Sequence, residues 1–182
     1  MRITETSIKG LIIIEPQVFK DGRGYFFESY SKTKFATAGI NIDFVQDNQS
    51  LSQKGAVRGL HAQSAPHAQA KLVRVIRGRV LDVAVDARKG SPTYGKYEAI
   101  ELSGDNQLQL LIPEGFLHGF ATLEDDTIFT YKVNNYYSKE CEVGVKWNDP
   151  ALAINWGIAE QDALISPKDA VLPGFSEFVS PF

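Results

Sequence analysis

The chain has 182 residues, 43% of them hydrophobic and 23% charged, with a net charge of −3; this is the make-up of a soluble globular protein large enough to bury a core without staples. Such a balance gives no overall attraction to nucleic acid or to an anionic membrane surface, so any anionic ligand must be held by local cations. The single cysteine, Cys141, excludes an internal disulfide and fits a reducing cytoplasm, residues 1–5 lack the charged-then-apolar order of a secretory leader, and no apolar run approaches the roughly 18 residues of a membrane span.

From the N-terminus onward the dominant period is two. Residues 11–14 (LIII) form a continuous apolar run and residues 24–30 (GYFFESY) an aromatic one, and both are expected as strands. Residues 31–39 carry a helix signal, with Ser31 as N-cap and Gly39 just past the end. Residues 71–76 (KLVRVI) and 80–86 (VLDVAVD) predict two strands of one tight hairpin turning at Arg77, Gly78 and Arg79. In the second of these, Val83 and Val85 share one face while Asp82 and Asp86 share the other. Alternation recurs at 97–102, 107–112 and 127–132, each run bounded by Gly, Pro, Asn or Asp, and the glycine-punctuated stretch 113–120 (PEGFLHGF) reads as a bend. Residues 166–169 (SPKD) begin a short second helix, with serine at the cap, proline in the first helical position and an acid at the third. Many short strands at turn-marked intervals, without repeat or linker, predict a sandwich or jelly-roll barrel forming one domain over 1–182.

Barrels of this kind bind small molecules in their mouths. Of the three histidines, His61 lies in the stretch 56–63 (AVRGLHAQ), shortly before Lys71. Imidazole and ammonium together can remove a proton beside a carbonyl and hold the resulting enolate, which points to proton chemistry on a carbonyl compound. His61 follows Arg58 by three positions, so in a regular strand the two face opposite sides unless a bulge intervenes near Gly59. Taken locally, His61 fits a hydrogen-bonded strand histidine better than a catalytic one, His118 fits a structural residue of its bend equally well, and His67 is most simply a loop residue. Three imidazoles and a carboxylate would suffice by count for a metal. Metal-binding barrels of the cupin type, however, usually supply a His-X-His pair, and the position two after His61 is Gln63; metal-free chemistry is favoured.

Eight segments occur in order along the chain: FKDGRGYFFE at 19–28, FVQDN at 44–48, VRGLH at 57–61, KLVR at 71–74, IPEGFLHGF at 112–120, YK at 131–132, NYY at 135–137 and WND at 147–149. Together they make the chain resemble the dTDP-4-dehydrorhamnose 3,5-epimerase family from about residue 11 to residue 169. The resemblance implies an all-β, cupin-type jelly-roll barrel with a few short helices, and a homodimer with strand exchange near the N-terminus. It implies an enzyme of dTDP-L-rhamnose biosynthesis that needs no cofactor and no metal. The reaction would invert C3 and C5 of a dTDP-sugar, dTDP-4-dehydro-6-deoxy-D-glucose, giving dTDP-4-dehydro-L-rhamnose. By the same resemblance His61 is the general base, supported by Asp169; Tyr131 is the acid on the opposite face; Lys71 sits beside the C4 ketone. Arg23 and Arg58 would bind the nucleotide, with Glu28, Gln46, Asn48, His118, Glu142 and Lys168 as further contacts and Tyr137 packed near the thymine or the sugar.

These roles agree with the chemistry of the side chains. Loss of a proton at C3 or C5 places charge on the C4 oxygen, which an adjacent ammonium stabilises as it develops. Imidazole, with an ordinary pKa of about 6.5, accepts protons at cytoplasmic pH, and a carboxylate on its second nitrogen fixes the tautomer. Inversion requires a donor on the other face, for which a phenol serves, and guanidinium forks suit a diphosphate. Each residue also has a plainer reading: Asp169 as a capping acid contributing about 1 kcal/mol, Tyr131 as barrel-wall packing, and Arg23, between Gly22 and Gly24, as a solvated turn residue. One departure stands out, because the family usually has an aromatic residue after Leu60 and His61, and here it is Ala62. If that position packs outside the pocket, its truncation costs roughly 1–3 kcal/mol unless neighbours fill it; if it shapes the pocket, substrate or regiochemistry changes. Two alternatives therefore stand beside the main expectation. One is a single-centre epimerase or ketoisomerase acting on a related 4-keto nucleotide sugar; the other is a non-catalytic sugar-binding cupin.

Overall fold

In the computed structural model, which describes residues 1–182, the chain opens with an antiparallel pair, β1 (Arg2–Glu5) and β2 (Ile12–Glu15), followed by a small hairpin of β3 (Phe19–Asp21) and β4 (Gly24–Phe26). The aromatic run predicted as one strand over 24–30 thus leaves the sheet after Phe26. Tyr30 instead meets Phe35 and Phe44 edge-on, with ring centroids 5.0 and 5.4 Å apart, and covers the outside of a sheet. Helix α1 (Lys32–Thr37) starts after Ser31, which has the extended cap conformation but no side-chain cap bond. Then come β5 (Gln46–Ser52), β6 (Ala56–Gln63), β7 (Lys71–Arg77), β8 (Arg79–Asp86) and β9 (Tyr97–Ser103). They are followed by β10 (Gln109–Ile112), β11 (Phe116–Thr122), β12 (Thr127–Val133), β13 (Glu142–Gly144), β14 (Leu164–Ile165) and the short helix α2 (Pro167–Ala170).

Two sheets face each other in a jelly-roll barrel. One has the order β1-β2-β10-β7-β12-β5, the other β13-β6-β11-β8-β9, with β14 running parallel to β6. The hairpin expected at Arg77, Gly78 and Arg79 does not form, because β7 and β8 belong to different sheets. Gly78 is the corner between them. Its φ is +79°, and a Cβ there would stand 2.2 Å from Thr127 Oγ1 and 2.9 Å from Thr127 Cα, so only glycine fits.

The space between the sheets is filled at one end by Leu11, Val73, Val75, Leu110, Phe120 and Phe129. Both outer faces are covered as well. Phe35 and Ile40 lie with Leu72 and Leu111 on the first sheet, and Trp147, Leu152 and Trp156 lie with Val57, Val83 and Val85 on the second. The alternation in β8 therefore has the reverse sense of a half-solvated strand: Val83 and Val85 meet the C-terminal segment outside the barrel, while Asp82 and Asp86 are fully buried on the other face. Asp86 is held by Arg88, Ser91 and Thr93, whose hydrogen bonds outweigh the effect of burial and keep its carboxyl well below the usual range. Asp82 points toward the barrel's polar end.

Candidate active site

Where the apolar filling stops, Phe120, Phe129 and Tyr131 floor a cavity of about 470 Å³ between the sheets, a size suited to a small organic ligand. Strand β6 enters its wall through an irregular pairing with β11. His118 lies opposite His61 and Phe120 opposite Arg58, so a step of two residues on β11 spans three on β6. This extra residue turns Arg58 and His61 into the same cavity, despite a spacing that opposes them in a regular strand. Gly59 makes the close approach possible. It has φ +116°, and a Cβ would sit 2.5 Å from the His118 carbonyl oxygen and 2.6 Å from Gly119 Cα.

His61 Nε2 lies 2.6 Å from Asp169 Oδ1, and the Gly59 N–H approaches Oδ2 at 3.5 Å. Helix α2 frees the carboxylate for this contact. Ser166 Oγ accepts the Asp169 N–H at 3.1 Å, so serine does the capping while the Asp169 side chain, only 5% exposed, turns to the histidine. Burial pushes the Asp169 carboxyl up, but the hydrogen bond and charge of His61 and the Gly59 amide outweigh it and hold the group below the usual range. A carboxylate there keeps the proton of a neutral imidazole on Nε2 and leaves the Nδ1 lone pair as the acceptor.

The opposite sheet supplies Tyr131 from β12 and Lys71 from β7. Burial raises the Tyr131 phenol, with Arg58 opposing and Glu142 adding, so the hydroxyl keeps its proton at neutral pH. Burial also pushes the Lys71 ammonium down to about 8, against the charges of Asp82 and Glu142. His118 Nε2 is 3.0 and 3.1 Å from the two oxygens of Asp82, and burial lowers this imidazole despite the carboxylate. At the rim, Glu142 Oε1 accepts from Lys168 Nζ at 2.5 Å and Oε2 accepts from Tyr137 Oη at 3.1 Å. Burial pushes Glu142 up, and the Lys168 contact overrides it. Arg58 Nε donates to Ser52 Oγ at 3.2 Å.

The cavity thus gathers His61, Lys71, Tyr131 and Asp169, together with Asn48, Arg58, His118, Glu142 and Lys168. Four other residues singled out from sequence do not line it. Arg23 is on the β3–β4 hairpin, its side chain 91% exposed and paired with Asp21 at 2.6 Å; Glu28 pairs with Lys34. Gln46 Nε2 donates to Asn48 Oδ1 at 2.9 Å, and Tyr137 touches the rim only through Glu142. Asp82, Ser166 and Ser50 were not singled out, although an acid within the apolar run of β8 was a visible signal for the first. Ala62 sits in the apolar cluster outside the second sheet, among Val57, Leu60 and Val143, so the missing aromatic ring belongs to outer packing and not to the cavity wall. Gln63 is absent from the cavity lining, and nowhere do three His, Cys, Asp or Glu side chains gather into a metal-holding group.

Residues 5–177 match the family model described as dTDP-4-dehydrorhamnose 3,5-epimerase. A Shigella flexneri protein of that name is 51% identical over 170 residues, 93% of each chain. The crystal structure of dTDP-4-dehydrorhamnose 3,5-epimerase from Elizabethkingia anophelis NUHP1 superposes with a TM-score of 0.93 at 50% identity and covers 97% of both chains. That of the Legionella pneumophila Philadelphia 1 dTDP-6-deoxy-D-glucose-3,5-epimerase, in complex with dTDP-4-keto-L-rhamnose, superposes with a TM-score of 0.93 at 46% identity, covering 98% of this chain and 94% of the other.

Proposed function

The chain belongs to the dTDP-4-dehydrorhamnose 3,5-epimerase family, and from that premise we propose how its residues divide the reaction. The enzyme is an isomerase that inverts C3 and C5 of dTDP-4-dehydro-6-deoxy-D-glucose. His61 Nδ1 takes the proton from the carbon beside the ketone, and the C–H electron pair moves into the enolate with its charge on O4. Lys71 donates to that oxygen as the charge develops. Tyr131 gives its phenolic proton to the opposite face of the carbon, inverting it; the phenolate then regains a proton and the imidazolium loses one to solvent before the second centre is treated in the same way. Asp169 keeps the imidazole oriented and stabilises its cation.

The observation that carries this reading is the juxtaposition of His61 and Asp169 on one wall with Tyr131 and Lys71 on the other. Arg58 and Lys168 are the cations for the diphosphate, Asn48, His118 and Glu142 supply polar contacts, and Tyr137 packs on the nucleobase. Arg23, Glu28 and Gln46 come into play in a homodimer. The supporting observation is hairpin β3–β4, which shows Phe19, Tyr25 and Phe26 to solvent at 55%, 56% and 67%, an apolar patch that a second copy would cover. The same reading has 1–182 as one domain acting in the cytoplasm without cofactor or metal.

Incubation with dTDP-4-keto-6-deoxyglucose in deuterated water tests it. The protein should label C3 and C5, and His61→Ala should lose exchange at both by roughly 10²–10⁴-fold while still binding dTDP. Near-normal exchange in the variant removes His61 from the mechanism; label at one carbon alone marks a single-centre enzyme, and no label marks a binder.

A further inference from the structure

Gln63 faces none of the cavity, yet it is only 5% exposed and its side-chain amide is fully engaged. Its Nε2 donates to the His67 carbonyl at 2.6 Å and to the Tyr136 carbonyl at 3.2 Å, while its Oε1 accepts the Ser138 N–H at 2.8 Å. The last two partners bracket one residue. The Tyr136 carbonyl belongs to the peptide plane before Tyr137, and the Ser138 N–H belongs to the plane after it. Between two rigid peptide planes the only soft torsions are the φ and ψ of the residue they share. One planar side-chain amide that grips both planes therefore fixes the backbone of Tyr137 and the direction in which its ring leaves the chain.

Tyr137 needs such a support. It is 58% exposed, and the hydrogen bond its side chain makes is the one from Oη to Glu142. The strand that holds the clamp also holds His61 two residues earlier, and Gln63 pairs directly with Glu142 across the β6–β13 ladder. Resting on the reading of Tyr137 as the nucleobase contact, we propose that Gln63 is a positioning residue for nucleotide recognition: it sets the Tyr137 ring against the base and ties that end of the substrate to the strand that carries the general base.

A double-variant cycle between Gln63 and Tyr137 decides this, read by dTDP titration, by steady-state kinetics and by amide hydrogen exchange at Ser138. Removing the two backbone contacts that bracket Tyr137, along with the one to His67, Gln63→Ala should raise the dTDP Kd and the sugar KM by about 10-fold, with kcat held within about twofold, and should speed exchange at Ser138. Tyr137→Ala should weaken binding at least as much, and the double variant should bind no worse than Tyr137→Ala alone. Independent losses that multiply in the double variant, a fall in kcat with Kd unchanged, or unaltered protection at Ser138 would each overturn the proposal. Should Gln63→Ala not fold, Gln63→Glu carries the binding and kinetic arms of the cycle, since it loses the donor to Tyr136; it keeps the acceptor for Ser138, so protection there should be retained in this variant. A wild-type chain that binds dTDP without epimerising sinks the reaction and leaves the clamp to the titration; one that does not bind dTDP sinks both.

Discussion

In the proposed mechanism Tyr131 separates the two halves of the reaction, because enolate formation would need only His61 and Lys71, whereas inversion would need the phenolic proton. Tyr131→Phe should therefore still exchange solvent deuterium, with retention, since protonated His61 returns a proton only to the face it came from. Product with inverted C5 should fall by roughly 10²-fold or more. Equal loss of exchange and inversion, read by NMR of the recovered sugar, would assign Tyr131 to enolate formation instead. Lys71 gives a second handle, through pH. With its pKa pushed down to about 8 by burial, the ammonium loses its charge as pH rises through that value, and turnover should fall there. Stability should move the other way. Between about 8 and the ordinary lysine value the unfolded chain binds a proton that the folded chain does not, so unfolding becomes more costly as pH rises through this window. Lys71→Met should flatten both profiles, and turnover that stays level to the top of the window would exclude the ammonium from the chemistry. Residue types alone pointed to carbonyl proton chemistry, through an imidazole near an ammonium, but the roles of His61, Lys71 and Tyr131 came from the resemblance; the structure adds that all three line one cavity. Asp169 was not legible in the same way. Its local role as a helix-start acid and its remote role beside His61 compete for one residue, and spacing cannot reveal a partner 108 positions away.

At the scale of elements, β6 works only because of its irregular step. Gly59→Ala would place a methyl group 2.5 Å from a carbonyl oxygen at a φ of +116°, and it should cost roughly 2–4 kcal/mol while displacing His61. Gly22→Ala, where an added Cβ meets nothing within 4 Å, should stay within about 0.5 kcal/mol of the parent. Equal midpoints in a denaturant titration would show that the bulge tolerates a side chain. The spacing of Arg58 and His61 showed only that a bulge near Gly59 was required if both were to face one cavity, because two side chains three apart share a face only where the strand breaks its period. Other elements misled. β5 escaped detection because its inward positions, Asn48 and Ser50, line the cavity and are polar, which erases the hydrophobic alternation that marks a strand. The false hairpin at Gly78 has a different cause: two apolar strands separated by a glycine look alike whether they pair or part company, and the Thr127 side chain that settles the matter is distant in sequence.

For the whole molecule, composition and period announced an all-β barrel, and the sheet order remained hidden because it depends on strands with long separations in the chain. The outer faces were equally hidden. A strand covered on both sides reads as apolar on both, or, in β8, buries acids that a surface strand would display. The exposed aromatics of hairpin β3–β4 carry the prediction at this scale. Sedimentation at micromolar concentration should report about twice the 20.1 kDa chain mass, and replacing Phe19, Tyr25 and Phe26 together by serine should release monomers. An active protein that stays strictly monomeric would show that Arg23 and Glu28 have no part in binding.

The long separation of His61 from Asp169 also sets an order of events during synthesis. A ribosome that has translated the base must add 108 more residues before the carboxylate that orients it exists, and by then both sheets and the Trp147–Trp156 cover have been made. A chain cut short before Asp169 lacks the carboxylate that meets His61 Nε2 at 2.6 Å. The pairing that orients His61 is thus completed by one of the last elements of the chain to be made, the short helix α2.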